Sequence, residues 1–213
     1  MRNLVATLAT TVALVVPLAV TSPASAAPLR VADLLTLWQA ASVYPALQGG
    51  DRIRGQFGVV APRSAVVRDQ LKCDRYRSFK GTSRRNASFF DVGDRTSVTL
   101  DQDVIRLRNM PRAQAVLRHY RRYIRTCEGT HRTTDGEGGS ARMKVRGWQT
   151  PRVGAGSVGM LVAFIQHGDT TWRRTVVART GRTVTVQTTE MPRGKGSPER
   201  AIEISRKAVR KLN

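Results

Sequence analysis

Basic residues are concentrated between Arg118 and Thr130, in the stretch RHYRRYIRTCEGT. Two structures fit such a cluster: a helix that binds nucleic acid or another polyanion, and a core helix with a charged outer side. The spacing distinguishes them, because apolar residues recur here every three or four positions and would bury one whole helical face. That set is Ala113, Val116, Leu117, Tyr120, Tyr123, Ile124 and Cys127.

The basic residues of this helix fall on the remaining circumference. They are Arg112, Arg118, His119, Arg121, Arg122 and Arg125. A helix that reads a DNA groove would place Asn or Gln among the arginines, and neither occurs between Arg118 and Thr130. We therefore expect a scaffold helix that begins near Pro111 and stops before Gly129. Its candidate polyanion-binding residues are Arg118, Arg121, Arg122 and Arg125.

A glycine motif, GAGSVG, places Gly154, Gly156 and Gly159 in the pattern G-x-G-x-x-G. A dinucleotide site requires this motif to leave a strand and open a helix. The residues that follow, VGMLVAFIQH, are typical of a buried strand instead. The motif therefore predicts a glycine-rich connection between antiparallel strands, and no cofactor is expected.

Residues that could support hydrolysis are present but scattered along the chain. Ser157 is not in a nucleophile elbow, because Ala155 stands where that motif needs its first glycine. His119, His131 and His167 are placed on a helix, in a loop and at a strand end. Folding could still bring one of them to Ser157, so a secreted hydrolase stays as a weaker alternative to a non-enzyme with no catalytic residues. Acids available to a glycosidase are Asp91, Asp94, Asp135 and Glu137.

The N-terminus has the features of a secretory signal peptide. Arg2 precedes an apolar run over positions 4–20, and Ala24 and Ala26 are the small residues that a signal peptidase accepts. We predict a signal peptide over residues 1–26 and a single secreted domain over 27–213. A membrane anchor is the alternative, but no second run long enough to span a bilayer follows.

The chain has two cysteines, Cys73 and Cys127. In an oxidising compartment such a pair predicts one disulfide, which would stabilise the fold by about 4 kcal/mol in the chain-entropy model. No metal site is expected, because two cysteines without paired histidines fall short of a tetrahedral ligand set.

The formal net charge is +21, and 30 of the 36 cationic residues are arginine. Such a charge concentrates polyanions near the protein, and outside a cell these are wall polymers, acidic lipids and shed nucleic acid. Chromosomal nucleic acid is not an expected partner of an exported protein. The alternative is that the arginines result from a general bias in amino-acid composition and are spread over a solvated surface.

Periodicity predicts the other elements. A first helix over 31–42 should turn Val31, Leu34, Leu35, Trp38 and Ala41 to the core, and a less regular region should reach position 63. A short helical tendency over 65–71 leads to the first cysteine. Two short strands, 97–100 and 104–107, would be joined by a turn at Asp101, Gln102 and Asp103, and a polar loop would follow the basic helix over 130–139.

Four strand candidates then follow in an antiparallel meander, over 141–149, 158–167, 171–179 and 182–189. In the last, Val184 and Val186 would face the core, whereas Thr183, Thr185 and Gln187 would face partly towards solvent. A final helix begins at the capping residue Ser197, with Pro198 in its first turn. Together these elements predict an α/β fold of the α+β type, with an antiparallel or mixed sheet flanked by helices.

This arrangement resembles a known family. Its features are a signal peptide, a first cysteine, an amphipathic helix ending in Cys-Glu-Gly, a sheet containing VVARTGRTVTVQ and a terminal helix. It is similar to the PknH-like extracellular sensor domains of actinobacterial kinases and secreted proteins, over residues 34–212. The resemblance implies one α/β domain with a cleft for an envelope ligand and no catalytic apparatus. Cys73 and Cys127 match the inner cysteine pair of that pattern, whereas a second pair, a lipid-attachment cysteine and a kinase domain are lacking.

The sequence therefore predicts a secreted, non-enzymatic, sensor-like domain that binds an extracellular or envelope ligand, either an anionic polymer or a small molecule. A nonspecific cationic polyanion binder is the main alternative. The sequence does not indicate an oligomeric state.

Overall fold

The computed structural model describes residues 27–49, 79, 81–90, 98–134, 139–192 and 194–213, and the backbone of 51–55. Short 3-10 turns lie at Val31–Asp33 and Pro45–Leu47. The helices are α1 (Leu37–Ala41), α2 (Met110–Cys127) and α3 (Pro198–Arg210). The strands are β1 (Asp51–Gly55), β2 (Ser83–Phe90), β3 (Thr99–Arg106), β4 (Gly129–Thr134), β5 (Ser140–Trp148), β6 (Gly156–Gln166), β7 (Asp169–Thr180) and β8 (Thr183–Met191).

These eight strands form one antiparallel sheet in the order β1-β2-β3-β8-β7-β6-β5-β4. The predicted meander is confirmed as β5 to β8, in which each strand pairs with the next. Two of its turns are tight. His167 and Gly168 both have positive φ, and Gly181 opens the turn before β8 with φ 52°. The α+β class and the antiparallel sheet are therefore confirmed.

Helices cover both faces of the sheet. Val104 and Ile105 are successive residues of β3 and so point to opposite faces. Ile105 joins the core cluster that contains α2, and Val104 joins the cluster that contains Ile204 and Ala208 of α3. The two amphipathic helices predicted from the sequence thus flank the sheet. Ser197 caps α3 by accepting a hydrogen bond from the Arg200 amide, as predicted.

The prediction that one side of the last strand is partly solvated is wrong. Thr183, Thr185 and Gln187 of β8 are 5%, 0% and 2% exposed. The segment before β1 lies over this face and uses its polar groups. The Tyr44 hydroxyl is hydrogen-bonded to Thr189 at 3.0 Å, and the Leu35 amide donates to the Gln102 side chain at 2.8 Å. Alternation of Val and Thr therefore marks two buried faces here.

The predicted turn at Asp101, Gln102 and Asp103 is also wrong, because all three lie within the continuous strand β3. The predicted loop over 130–139 begins as strand β4, and only its last described residue, Gly139, lies outside a strand. Strand β1 was expected to be irregular. In each segment, polar residues that would suit a turn are held extended by a neighbouring strand.

The first helix is shorter than its apolar spacing predicts. Residues 31–33 form a 3-10 turn, and α1 begins only after Thr36, whose side chain accepts from the Gln39 amide. This capping box restarts the helix and changes which residues face inwards. Leu34 and Leu35 are buried as expected, whereas Trp38 is 78% exposed.

The glycine motif lies between two strands, as predicted. Gly156 opens β6, and Gly154 has φ 62° and forms an isolated bridge with Arg179. A Cβ at position 154 would lie 2.5 Å from the Arg179 carbonyl oxygen, so glycine is required for this close approach. No helix follows the motif, and the dinucleotide reading is excluded here.

Several predictions concern residues outside the described ranges. These are the signal peptide over 1–26, the helical tendency over 65–71, Cys73, and the acids Asp91, Asp94, Asp135 and Glu137.

Candidate anion-binding site

The basic helix predicted from the sequence is α2, and its apolar face is committed to the core. The Asn109 side chain accepts a hydrogen bond from the Arg112 amide at 3.0 Å, and Pro111 lies in the first turn. The buried set matches the predicted stripe from Ala113 to Cys127. This packing fixes the helix against β5 to β8 and turns its other side outwards.

One residue of the predicted outer side lies inside. His119 is only 5% exposed, and its ring makes edge contacts with Phe79 at 5.7 Å and Tyr120 at 6.2 Å. Phe79 comes from a distant part of the chain, so helical periodicity alone could not indicate this burial. His119 therefore packs mainly against its neighbours, although it also lines the depression on the outer side of α2.

Four arginines line a depression on the outer side of α2. Arg118, Arg121 and Arg125 are exposed and Arg122 is half-buried. With Ala115 and His119 they surround a volume of about 430 Å³. These are the four candidate residues predicted from the sequence, and the structure brings them together. Along the helix axis, Arg118 and Arg125 are separated by about 10 Å.

A second depression adjoins the first and shares Arg121 and Arg125 with it. Its volume is about 300 Å³, and its walls come from the last turns of α2 and from the facing ends of β5 and β6. Those from α2 are Arg121, Ile124 and Arg125, and Glu128 directly follows the helix. Those from the sheet and its connection are Gly147, Trp148, Thr150, Ser157, Val158 and Gly159. The Arg121 guanidinium donates to the Ser157 carbonyl at 3.4 Å, which directs this side chain towards the sheet.

Glu128 lines the second depression beside Arg121 and Arg125, but within the described ranges no ion pair joins it to either arginine. Among the described residues, the ion pairs join Arg84 to Asp103, Arg173 to Glu190 and Lys207 to Glu203, and none involves Arg118, Arg121 or Arg125. Cations three or four residues apart on one helix repel each other. The two depressions therefore share a ridge of positive charge that an anion would neutralise.

The residues considered for hydrolysis are used in other ways. The Ser157 hydroxyl donates to the Pro151 carbonyl at 2.9 Å and lies 3.3 Å from Thr150 Oγ1. His131 Nε2 is 2.9 Å from the Cys127 carbonyl oxygen, and His167 forms a hairpin turn. In the described ranges, neither histidine meets the Ser157 hydroxyl. No group of three His, Cys, Asp or Glu side chains there could hold a metal ion.

Two acids inside the sheet were missed by sequence reasoning, which placed both in a turn. Asp103 is 4% exposed and forms an ion pair with Arg84 at 2.6 Å. Asp101 accepts a hydrogen bond from the Ser88 hydroxyl. Burial raises the pKa of Asp101, and the neighbouring Asp103 adds to this, whereas the Ser88 hydrogen bond opposes it.

Cys127 is fully buried at the last turn of α2, and no free cysteine occurs among the described residues. Its predicted partner Cys73 lies outside them, so the disulfide stays a prediction. None of the described helices is long and apolar enough to cross a membrane.

No model of a known protein family matches the chain. No curated protein matches its sequence either. Among solved structures, the chain is similar to the extracellular domain of PknH from Mycobacterium tuberculosis, with 14% sequence identity and a TM-score of 0.59. The match covers 85% of this chain and 93% of that one. At this identity the comparison establishes a shared fold, that of the PknH extracellular domain.

Proposed function

We propose that this chain is a secreted, non-enzymatic, sensor-like domain whose α2 arginines bind an anionic ligand of the cell envelope or medium. The observation that carries the proposal is the set of exposed arginines without acidic partners, placed around two adjoining depressions. The fold supports it, because a solved structure that shares this fold is an extracellular domain. The resemblance of the sequence to PknH-like sensor domains agrees with this assignment.

Export and the cross-link form part of the same proposal. Cleavage after Ala26 would release a chain that begins close to Leu29, which is already 1% exposed in the folded domain. A disulfide between Cys73 and Cys127 would join the end of α2 to a distant segment. The cross-link would thereby hold the arginine-bearing helix in place in an oxidising medium.

The chemistry of the two depressions favours a ligand with more than one anionic group. Arg121 and Arg125 lie on the ridge between them, so a ligand with two phosphates or carboxylates could contact the same arginines from both sides. Guanidinium groups bind phosphate and carboxylate through paired hydrogen bonds. Such binding is stronger where the donors are already oriented, and the 3.4 Å hydrogen bond to the Ser157 carbonyl directs Arg121 towards the sheet.

The test is calorimetric titration of the protein with inorganic tripolyphosphate at low salt. We expect Arg121→Gln combined with Arg125→Gln to weaken binding by about tenfold, or about 1.4 kcal/mol. This is less than the full value of two charge-assisted hydrogen bonds, because both side chains are exposed and screened.

The matched control is Arg206→Gln combined with Arg210→Gln. These arginines have the same spacing on α3 and are also exposed. The proposal expects no change in this variant. An equal loss in both variants would instead support the nonspecific polyanion binder, and absence of tripolyphosphate binding to the unchanged protein would contradict an anion site on α2.

A further inference from the structure

A second group of cations lies on the outer face of β4 and β5. Arg132, Arg142 and Arg146 are exposed and Lys144 is half-buried. The residues between them on β5 point the other way. Met143 and Val145 are 1% and 0% exposed and belong to the core cluster that contains α2. The four cations therefore lie on the sheet face opposite to α2, apart from the candidate site described above.

The pairing of the strands places these like charges together. Arg132 is the direct register partner of Arg142. Arg142, Lys144 and Arg146 follow at every second position of β5, so they share one face. Like charges directly opposite each other destabilise a sheet. Within the described part of the chain, none of these four side chains forms an ion pair.

The geometry is a row. Successive cations on β5 are separated by about 6.8 Å, and the row from Arg142 to Arg146 extends over about 14 Å. Arg132 lies beside its first member. A row of evenly spaced cations complements a linear chain that carries one anionic group per repeat. It is poorly matched to a compact anion, which could contact only one or two of these side chains at once.

Two tryptophans share this face, and a protein cation already lies over each ring. Trp172 is aligned with Lys144 across the intervening Ala163 of β6. The Lys195 ammonium lies 5.3 Å from the centre of its ring. The Arg174 guanidinium lies 4.9 Å from the centre of the Trp148 ring. These rings are not open for stacking with nucleic acid bases, which single-strand-binding proteins require.

We propose that Arg132, Arg142, Lys144 and Arg146 form a second binding surface, and that its ligand is a linear polyol-phosphate polymer. The surface contacts the phosphates of successive repeats and makes no base or acyl-chain contacts. A chain bound this way displaces condensed cations from the polymer, so its affinity depends on salt. This inference does not depend on the function proposed for α2, because the two surfaces lie on opposite faces of the sheet.

The experiment measures binding of fluorescently labelled poly(glycerol phosphate) at several salt concentrations by anisotropy. Four phosphate contacts contribute about −2.8 to the slope of log affinity against log salt. Arg142→Gln combined with Lys144→Gln should make the slope shallower by about 1.4. The α3 variant, Arg206→Gln with Arg210→Gln, is the matched control and should keep the slope of the unchanged protein.

A thermal melt of each variant checks its folding. Arg142→Gln should melt at the same temperature or higher, because it removes a repulsion. An unchanged slope in the folded β5 variant would overturn the proposal. So would single-stranded DNA or anionic phospholipid vesicles that bind more tightly than poly(glycerol phosphate) through the same two residues.

Different results would contradict the α2 site and the surface on β4 and β5. Loss of tripolyphosphate binding in the α2 variant, with poly(glycerol phosphate) binding retained, supports two independent surfaces. A β5 variant that loses tripolyphosphate binding to the same extent as the α2 variant contradicts the second surface.

Discussion

The ion pair between Arg84 and Asp103 should be far more important for stability than the pair between Arg173 and Glu190. Both have an N–O distance of 2.6 Å, but their exposure differs. The side chains of the first pair are 12% and 5% exposed, and those of the second are 41% and 35% exposed. Arg84→Ala would leave a buried carboxylate without its guanidinium, at a cost of about 3 kcal/mol.

The exposed pair is the control. Arg173→Ala should cost less than about 1 kcal/mol, because water solvates Glu190 in the absence of its partner. Urea unfolding followed by circular dichroism measures both, and the transition midpoint should move without a change in slope. In a thermal melt, the Arg84 variant should lose about 6–12 °C.

A third variant tests whether the destabilisation comes from the buried charge that Arg84→Ala leaves behind. Arg84→Met combined with Asp103→Leu removes both charges, and it should be more stable than Arg84→Ala, because it leaves no buried carboxylate that has lost the Arg84 guanidinium. Equal destabilisation by Arg84→Ala and Arg173→Ala would contradict the expectation that the buried ion pair is more important for stability than the exposed one. So would a double replacement that is less stable than the single one.

Two further predictions concern Asp101 and the cysteines. Burial raises the pKa of Asp101 in the folded protein. At neutral pH the buried carboxylate therefore lowers the free energy of unfolding. This destabilisation disappears as the pH falls through the raised pKa, because the carboxyl group is then protonated. Asp101→Asn should therefore be more stable than the unchanged protein at pH 7, and the difference in stability should become smaller in acid. A difference between the urea midpoints of the two proteins that stays constant from pH 7 to pH 3 would contradict this. Reduction with dithiothreitol should remove about 4 kcal/mol of stability if Cys73 and Cys127 are joined, and a melting temperature that does not respond to reductant would exclude the bond.

Elements whose signals are local were predictable from the sequence. Helix α2 combines Pro111 in its first turn with a complete apolar stripe, and α3 has Ser197 as its cap. The strands of the meander either alternate apolar and polar residues or are continuously apolar, and a glycine lies in both tight turns. Here the chain's own periodicity and the tertiary packing agree, so the arginines of α2 could be assigned to its outer side.

Elements that depend on distant partners were not predictable in the same way. Asp101 and Asp103 look like turn residues in the sequence. In the fold they are bound by Ser88 and Arg84 of the neighbouring strand β2. His119 is buried by Phe79, forty positions earlier in the chain. Thr185 and Gln187 of β8 look solvated until the segment before β1 and helix α3 are placed over them.

The basic face of β4 and β5 is the clearest case of information that resides in strand register. The sequence shows Arg132 and Arg142 as unrelated residues of a supposed loop and a strand. The register makes them direct neighbours, and it assigns Lys144 and Arg146 to the same face. A shift by one residue would turn these side chains into the core.

We propose that this domain is exported and holds an anionic ligand at the α2 arginines. Native mass spectrometry of the protein recovered from the culture medium of its own host tests it most directly. We expect a polypeptide that begins at Ala27 and is lighter by the two hydrogens lost in a disulfide. It should carry an anionic adduct that is absent from the variant with Arg121→Gln and Arg125→Gln. A full-length polypeptide confined to the cytosol, with both thiols free and no adduct, would contradict it.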